Sequence, residues 1–259
     1  METTVLPQNG WHWREWGSEL LGTAILMWSV VTALWVVTTA WSDSTVFVRV
    51  LVVGSVAGVA VIGIAESPLG RRSGAHLNPA LTLSLWVRRV VSAGDLAGYV
   101  AAQAVGAIVG FGAGIVWGPG VAAAPVRWAT IAPEPGLGDL AAGVIEAVTT
   151  AALLSVVFVF LGRARLVRYT AWVAGATLTA AIIGLAQVTG AAFNPLRGVA
   201  PEILAGSYQS WLMFLVAPPL GGVIAALGWR GAHRPVTGKL VHDPAKPCRM
   251  YCELPHAES

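Results

Sequence analysis

The residues able to do polar chemistry within the apolar runs of this chain are few, and the main ones come in pairs. Asn78-Pro79-Ala80 follows Gly74-Ala75-His76-Leu77, and Asn194-Pro195-Leu196-Arg197 follows Gly190-Ala191-Ala192-Phe193. Asn is a strong N-cap, and Pro suits the first helical position because an N–H there has no intrahelical acceptor. Each copy therefore predicts extended backbone running into the start of a helix. A second pair is Glu19 with Thr23 and Glu146 with Thr150, each a Glu-x-x-x-Thr inside an apolar run. A carboxylate in such a setting must face inward and find donors. The side chains of Asn and Glu can donate or accept hydrogen bonds. No nucleophile–base pair, metal cluster or phosphate loop falls within the apolar runs, so neither an enzyme nor a cofactor is expected. Cys248 and Cys252, beside His242 and His256, have metal-binding residue types, but they lie outside every apolar segment and read as a solvated tail.

The elements that must position these residues are membrane helices. Of 259 residues, 56% are hydrophobic and 11% charged, against about 25% charged in an average soluble domain. The net charge of +3 is too small to suggest nucleic acid as a partner. A spanning helix needs about 20 apolar residues, and six stretches qualify: 18–40, 46–65, 95–117, 139–161, 169–188 and 210–229. The first is too long for a signal-peptide core and reads as a span. Runs 79–87 and 195–204 are too short to cross, and both begin at an Asn-Pro pair. The predicted fold is an all-α membrane protein with six transmembrane helices and two re-entrant half-helices in an inverted repeat. Its parts are an N-terminal segment 1–17, a first repeat 18–117, a connection 118–138, a second repeat 139–229 and a C-terminal tail 230–259. Residues 66–72 read as a loop. The tail, with Pro235, Pro244, Pro247 and Pro255, reads as mobile.

Three spans per half is an odd number, so the second half enters the membrane from the opposite side, and paired short segments point to a pathway at the repeat interface. With both termini inside, thirteen Lys and Arg fall on the inner side and three (Arg49, Arg127, Arg197) on the outer. The positive-inside rule then places both termini in the cytoplasm. The half-helices should meet N-terminus to N-terminus near the midplane. Gly106, Gly110 and Gly114, with Gly221 and Gly222, suit close helix packing. Trp41, Trp86, Trp117, Trp211 and Trp229 fall near segment ends, as interfacial residues do.

With these features the chain resembles the major intrinsic protein family, the aquaporins and aquaglyceroporins, over roughly residues 16–230. The likeness rests on both Asn-Pro copies, on Ser73–Trp86, on Gly190–Arg197, on the two Glu-x-x-x-Thr pairs and on the order of spans. It implies a bundle of six tilted helices around one pore per subunit, usually in homotetramers, in the cell membrane. Water and small neutral solutes would be its partners, alongside membrane lipid. Asn78, Pro79, Ala80, Asn194, Pro195 and Leu196 would form the pore centre, the two Asn amides donating to the central molecule. Gly74, Ala75, His76, Gly190, Ala192 and Phe193 would line the pore through backbone carbonyls, and Glu19 and Glu146 would hold these loops. Two facing helix N-termini would oppose cations and protons. His76 reads first as a neutral wedge beside the loop, with a pH gate as the alternative.

Matched to the family, the constriction comprises Arg197, Ile182, Ala191 and one second-span residue, Val53, Ala57 or Gly58, with Val53 favoured. Water-selective members use an aromatic residue and a His there. Ile182, Ala191 and an apolar second-span residue predict a wider, less polar ring of the kind that passes glycerol, urea or metalloid hydroxides. Two departures bear on the solute: Gly198 stands where glycerol facilitators carry an acidic residue, and Leu196 stands where Ala is usual. The competing readings are a proton-coupled transporter using Glu19 or Glu146, and a closed structural member of the family.

Overall fold

The computed structural model describes residues 10–231 and 236–242. Cys248, Cys252 and His256 lie outside the described residues. Apolar runs with no interior breaker become long helices: α1 (Trp13–Thr39), α2 (Val46–Glu66), α5 (Ala93–Gly112) and α6 (Asp139–Leu161). α9 (Trp211–Gly231) carries Pro218 and Pro219 within it. Between these lie α3 (Pro68–Ser73), α4 (Pro79–Val87), α7 (Thr170–Leu185) and α8 (Pro195–Ala205). Five helical stretches among the described residues are long and apolar enough to cross a membrane. The sixth expected span, α7, is helical for 16 residues, about 24 Å, and continues as turns over 186–189 instead of helix.

The segment 66–72, expected as a loop, is largely helical. Ser67 caps α3 by accepting from the Leu69 N–H at 3.2 Å, Pro68 takes the first turn, and Gly74 closes the helix at φ 98°. The Ser-Pro start and Gly stop are helix punctuation; the segment is simply too short to show periodicity. Ser92 likewise caps α5 through the Asp95 N–H at 3.1 Å. Asp95 itself is buried, paired with His12 Nδ1 at 2.8 Å and accepting from Trp16 Nε1 at 2.9 Å, which ties the start of α1 to α5.

Helices pair as α1 on α5, α6 on α9 and α2 on α7. The first two crossings are repeat-equivalent and glycine-mediated. A Cβ at Gly106 would overlap the Leu20 carbonyl, and one at Gly221 would overlap that of Ala147, the residues next to Glu19 and Glu146. The crossings thus bring α5 and α9 backbone-close to the carboxylate-bearing turns. α2 and α7 meet at Gly58 and Gly175, where a Cβ on either would stand 2.5 Å from the other's carbonyl oxygen. The bundle exterior stays apolar: Leu140, Val144 and Val148 line one face of α6, and Leu212, Leu220, Ile224 and Leu227 one of α9. Such a belt suits hydrocarbon as solvent.

The half-helices α4 and α8 have 9 and 11 residues, together about 30 Å, the thickness of a hydrocarbon core. They touch in the bundle interior. Residues 236–242, expected as part of a mobile tail, are docked: Val236, Thr237, Leu240 and His242 are buried, and the Leu240 N–H donates to the Gly74 carbonyl at 3.0 Å. We call the side where α1 begins and this segment sits the terminal face.

Candidate functional site

Asn78 and Asn194 organise the centre in the same way. Each Oδ1 caps its own half-helix, accepting from Ala80 N at 2.8 Å and from Leu196 N at 3.0 Å. Each Nδ2 reaches across the repeat: Asn78 donates to the Phe193 carbonyl and Asn194 to the Leu77 carbonyl, both at 2.9 Å. Since a carboxamide carries two N–H bonds, one per Asn remains for the cavity that both residues line. Each Asn thus divides its amide between the opposite loop and the cavity. Among the loop carbonyls, those of Leu77 and Phe193 accept from these amides, and that of Gly74 accepts from the Leu240 N–H.

The loops themselves have costly backbone. Gly74 and Gly190 have φ of 98° and 91°, and Ala75, Leu77, Ala191 and Phe193 have φ of 55°, 53°, 53° and 51°. Left-handed conformations cost a non-glycine residue about 1–2 kcal/mol each, so something must over-determine them. Two buried carboxylates do. Glu19 accepts from the N–H of His76 at 3.0 Å and of Leu77 at 2.7 Å, and from Gln103 Nε2 at 2.7 Å. Glu146 accepts from Thr189 Oγ1 at 2.7 Å and from the N–H of Ala192 at 2.9 Å and Phe193 at 3.0 Å. Gln103 and Thr189 are partners that the spacing of the Glu residues does not reveal.

A cavity of about 330 Å³ runs along these loops. Its wall includes Ala75, His76, Asn78, Gly190, Ala191, Ala192, Phe193, Asn194 and Arg197. Gly74, Pro79, Ala80, Pro195 and Leu196 stand behind it, Leu196 packing into the surrounding core. Leu196 leaves the junction symmetric: the caps have φ/ψ of −155°/117° at Asn78 and −144°/120° at Asn194. Glu19 and Glu146 are fully buried and lie off the cavity wall.

At the end away from the terminal face, Ile182 and Ala191 share the cavity with Arg197. Of the three second-span candidates, Val53 and Ala57 face the cavity, whereas Gly58 is buried against α7. A Cβ on Gly54 would meet Ile182 Cγ2 at 3.1 Å, so position 53 lies at the level of Ile182 and Ala57 about one turn deeper. Arg197 donates from Nη1 to the Ala129 carbonyl at 2.8 Å and lies 5.6 Å from the Phe111 ring centroid. That carbonyl is presented by three consecutive left-handed residues, Arg127, Trp128 and Ala129. The same connection contributes Thr130 and Ile131 to the wall, and α2 contributes Arg49. Ile131 was not singled out from the sequence, since one apolar residue in a Pro/Gly-rich loop carries no pattern. Gly198, noted above for lacking an acidic side chain, abuts Phe214 so closely that any Cβ would overlap it.

Fold and cavity together define a multi-pass α-helical membrane protein with a passage built at the interface of two inverted repeats. The family model for the major intrinsic protein matches residues 8–229. Aquaporin NIP3-1 of Oryza sativa subsp. japonica is 33% identical over 215 residues, covering 82% of this chain and 66% of that protein. Glycerol uptake facilitator protein-like 6 of Lactiplantibacillus plantarum is 33% identical over 221 residues, covering 82% of this chain and 95% of that protein. The chain thus spans just under two thirds of the rice protein and nearly all of the bacterial one. In fold it matches the aquaglyceroporin from Plasmodium falciparum with a TM-score of 0.71 at 22% identity, over 83% of this chain and 94% of that one. The chain belongs to the major intrinsic protein family, a family of membrane channels and not of enzymes.

Proposed function

We propose that this protein is a passive channel for water and small uncharged solutes of glycerol or urea size, metalloid hydroxides included, and that it excludes protons and ions. The observation that carries the reading is the wall of the cavity: both Asn-Pro loops, together with Arg197, Ile182, Val53 and Ala191. Val53, Ile182, Ala191 and Arg197 are the constriction. Three apolar members and one cation make a ring that accepts a carbon backbone on one side and hydroxyls on the other. The facing N-termini of α4 and α8 place positive potential, about half a charge each, at the centre and oppose cations there. Arg49 and Arg197 add cationic character to the same wall.

The protein is proposed to sit in the cell membrane with both termini cytoplasmic, on the strength of the thirteen-to-three charge asymmetry and the apolar bundle exterior; a homotetrameric assembly is proposed from the family resemblance alone. A proton-coupled transporter would need a carboxylate on the pathway. Glu19 and Glu146 instead have both oxygens occupied by donors behind the loops.

Stopped-flow light scattering on proteoliposomes tests this. Wild-type vesicles should shrink rapidly under an impermeant osmolyte and re-swell rapidly with glycerol. Ile182→His, which replaces a branched aliphatic side chain with a longer, planar, polar ring, should cut glycerol flux about tenfold, the discrimination a modest change in pocket shape provides, while water flux persists. Fast shrinkage with no accelerated re-swelling in the wild type would make it a strict water channel. Rates equal to those of empty vesicles in the wild type and in every variant, with insertion verified, would refute conduction altogether.

A further inference from the structure

The docked segment 236–242 does more than cover a face. Leu240 is itself part of the cavity wall, at the terminal-face end with Val61, His76 and Val157. Around it the segment makes contacts of a specific kind. The Leu240 N–H donates to the Gly74 carbonyl at 3.0 Å, and His76 Nε2 lies 2.8 Å from the Gly238 carbonyl, to which it donates. Lys239 Nζ adds a bond to the Arg71 carbonyl at 3.3 Å. Backbone lies directly on backbone here: a Cβ on Gly74 would stand 2.5 Å from the Gly238 oxygen. The first two bonds use one acceptor and one donor of the re-entrant loop, the kind of pair a hydroxylated molecule would engage on entering from this side.

From this we infer that residues 236–242 are an internal plug that competes with the permeant: Leu240 obstructs the terminal-face mouth while the segment's peptide groups occupy the Gly74 carbonyl and the His76 ring N–H. The inference rests on the channel reading above. An apolar side chain at a narrow mouth raises the barrier for a polar file because it offers no replacement for the lost hydration. The attachment combines these hydrogen bonds with burial of Val236, Thr237, Leu240 and His242, and the segment belongs to none of the helices. It also gives Gly74 a role distinct from lining the pore, namely admitting the segment against the loop.

The test compares wild type, Leu240→Ala, Leu240→Pro and Leu240→Trp as full chains in proteoliposomes, with water and glycerol permeabilities normalised to inserted protein. Leu240→Ala shortens the obstruction. Leu240→Pro removes both the side chain's reach and the N–H to Gly74. Each should raise permeability at least about threefold, whereas Leu240→Trp should lower it by about half or more. Equal permeability in all four, with wild type above empty vesicles, would overturn the plug and leave the channel standing. Variants conducting where wild type does not would support both plug and channel. If none exceeds empty vesicles, the channel reading fails and the plug with it.

Discussion

Glu146→Ala is expected to abolish conduction and to destabilise the protein by several kcal/mol. The carboxylate satisfies Thr189 Oγ1 and Ala192 N on one oxygen and Phe193 N on the other. Removing it strands these donors in a fully buried site, at about 1–3 kcal/mol for each orphaned group. It also releases the restraint on Ala191 and Phe193, whose φ values of 53° and 51° relax once nothing holds them. The loop carries Ala191, Asn194 and the approach to Arg197, so the passage goes with it. Glu146→Gln is the informative companion. Its carbonyl can serve Thr189 and Ala192, leaving only Phe193 N opposed by an amide, and the loss should be about 1–3 kcal/mol with conduction reduced but present. Thermal unfolding in detergent alongside vesicle flux separates the outcomes. A normal unfolding midpoint with flux abolished in Glu146→Gln would point to proton carriage. Unchanged stability and flux in Glu146→Ala would refute the anchoring role.

Gly221→Val is expected to prevent accumulation of folded protein. At this crossing a side chain would meet the Ala147 carbonyl, Thr150 Cβ and the Ala151 nitrogen, which are α6 backbone or a β-branched carbon and cannot rotate away. Moving α9 outward is no remedy, because the adjacent Gly222 seats α9 on the Ala80 carbonyl of α4. The displacement would open the very junction where the half-helices meet. Overpacking ordinarily costs about 1–3 kcal/mol, but here backbone meets backbone at two levels, and the cost should exceed what a marginally stable fold tolerates. Gly228→Ala provides the control: nothing lies within 4 Å of a Cβ there, and the change should be neutral or stabilising by up to about 1 kcal/mol. Monodisperse yield by size-exclusion chromatography after membrane extraction reads both. Wild-type yield from Gly221→Val would show that α6 and α9 can separate freely.

Much of this architecture is written locally. A helix start needs only a cap and a proline, so Asn78-Pro79 and Asn194-Pro195 mark α4 and α8 in the sequence, with α4 ending at Val87 as its apolar run does. A buried carboxylate must be answered by donors, so Glu19 and Glu146 declare themselves by being charged residues in apolar runs. Glycines at helical spacing declare close crossings. These signals survive without a structure because each depends on the residue's own chemistry and its neighbours within a turn or two.

Tertiary structure alone decided what approaches these residues from elsewhere in the chain. Val53 over Gly58 at the cavity follows from the register of α2 on α7, and helical periodicity leaves that register open. Ile131, the Ala129 carbonyl and residues 236–242 reach the pathway from loop and tail, held largely by peptide groups. Every residue carries a peptide group, so no residue type betrays which of them will be used. The sequence determined two inverted repeats with two polar half-helices between them. The three-dimensional packing determined the width and chemistry of the passage and what stands in its mouth, because those depend on backbone atoms brought together across as many as 166 positions, as between Gly74 and Leu240.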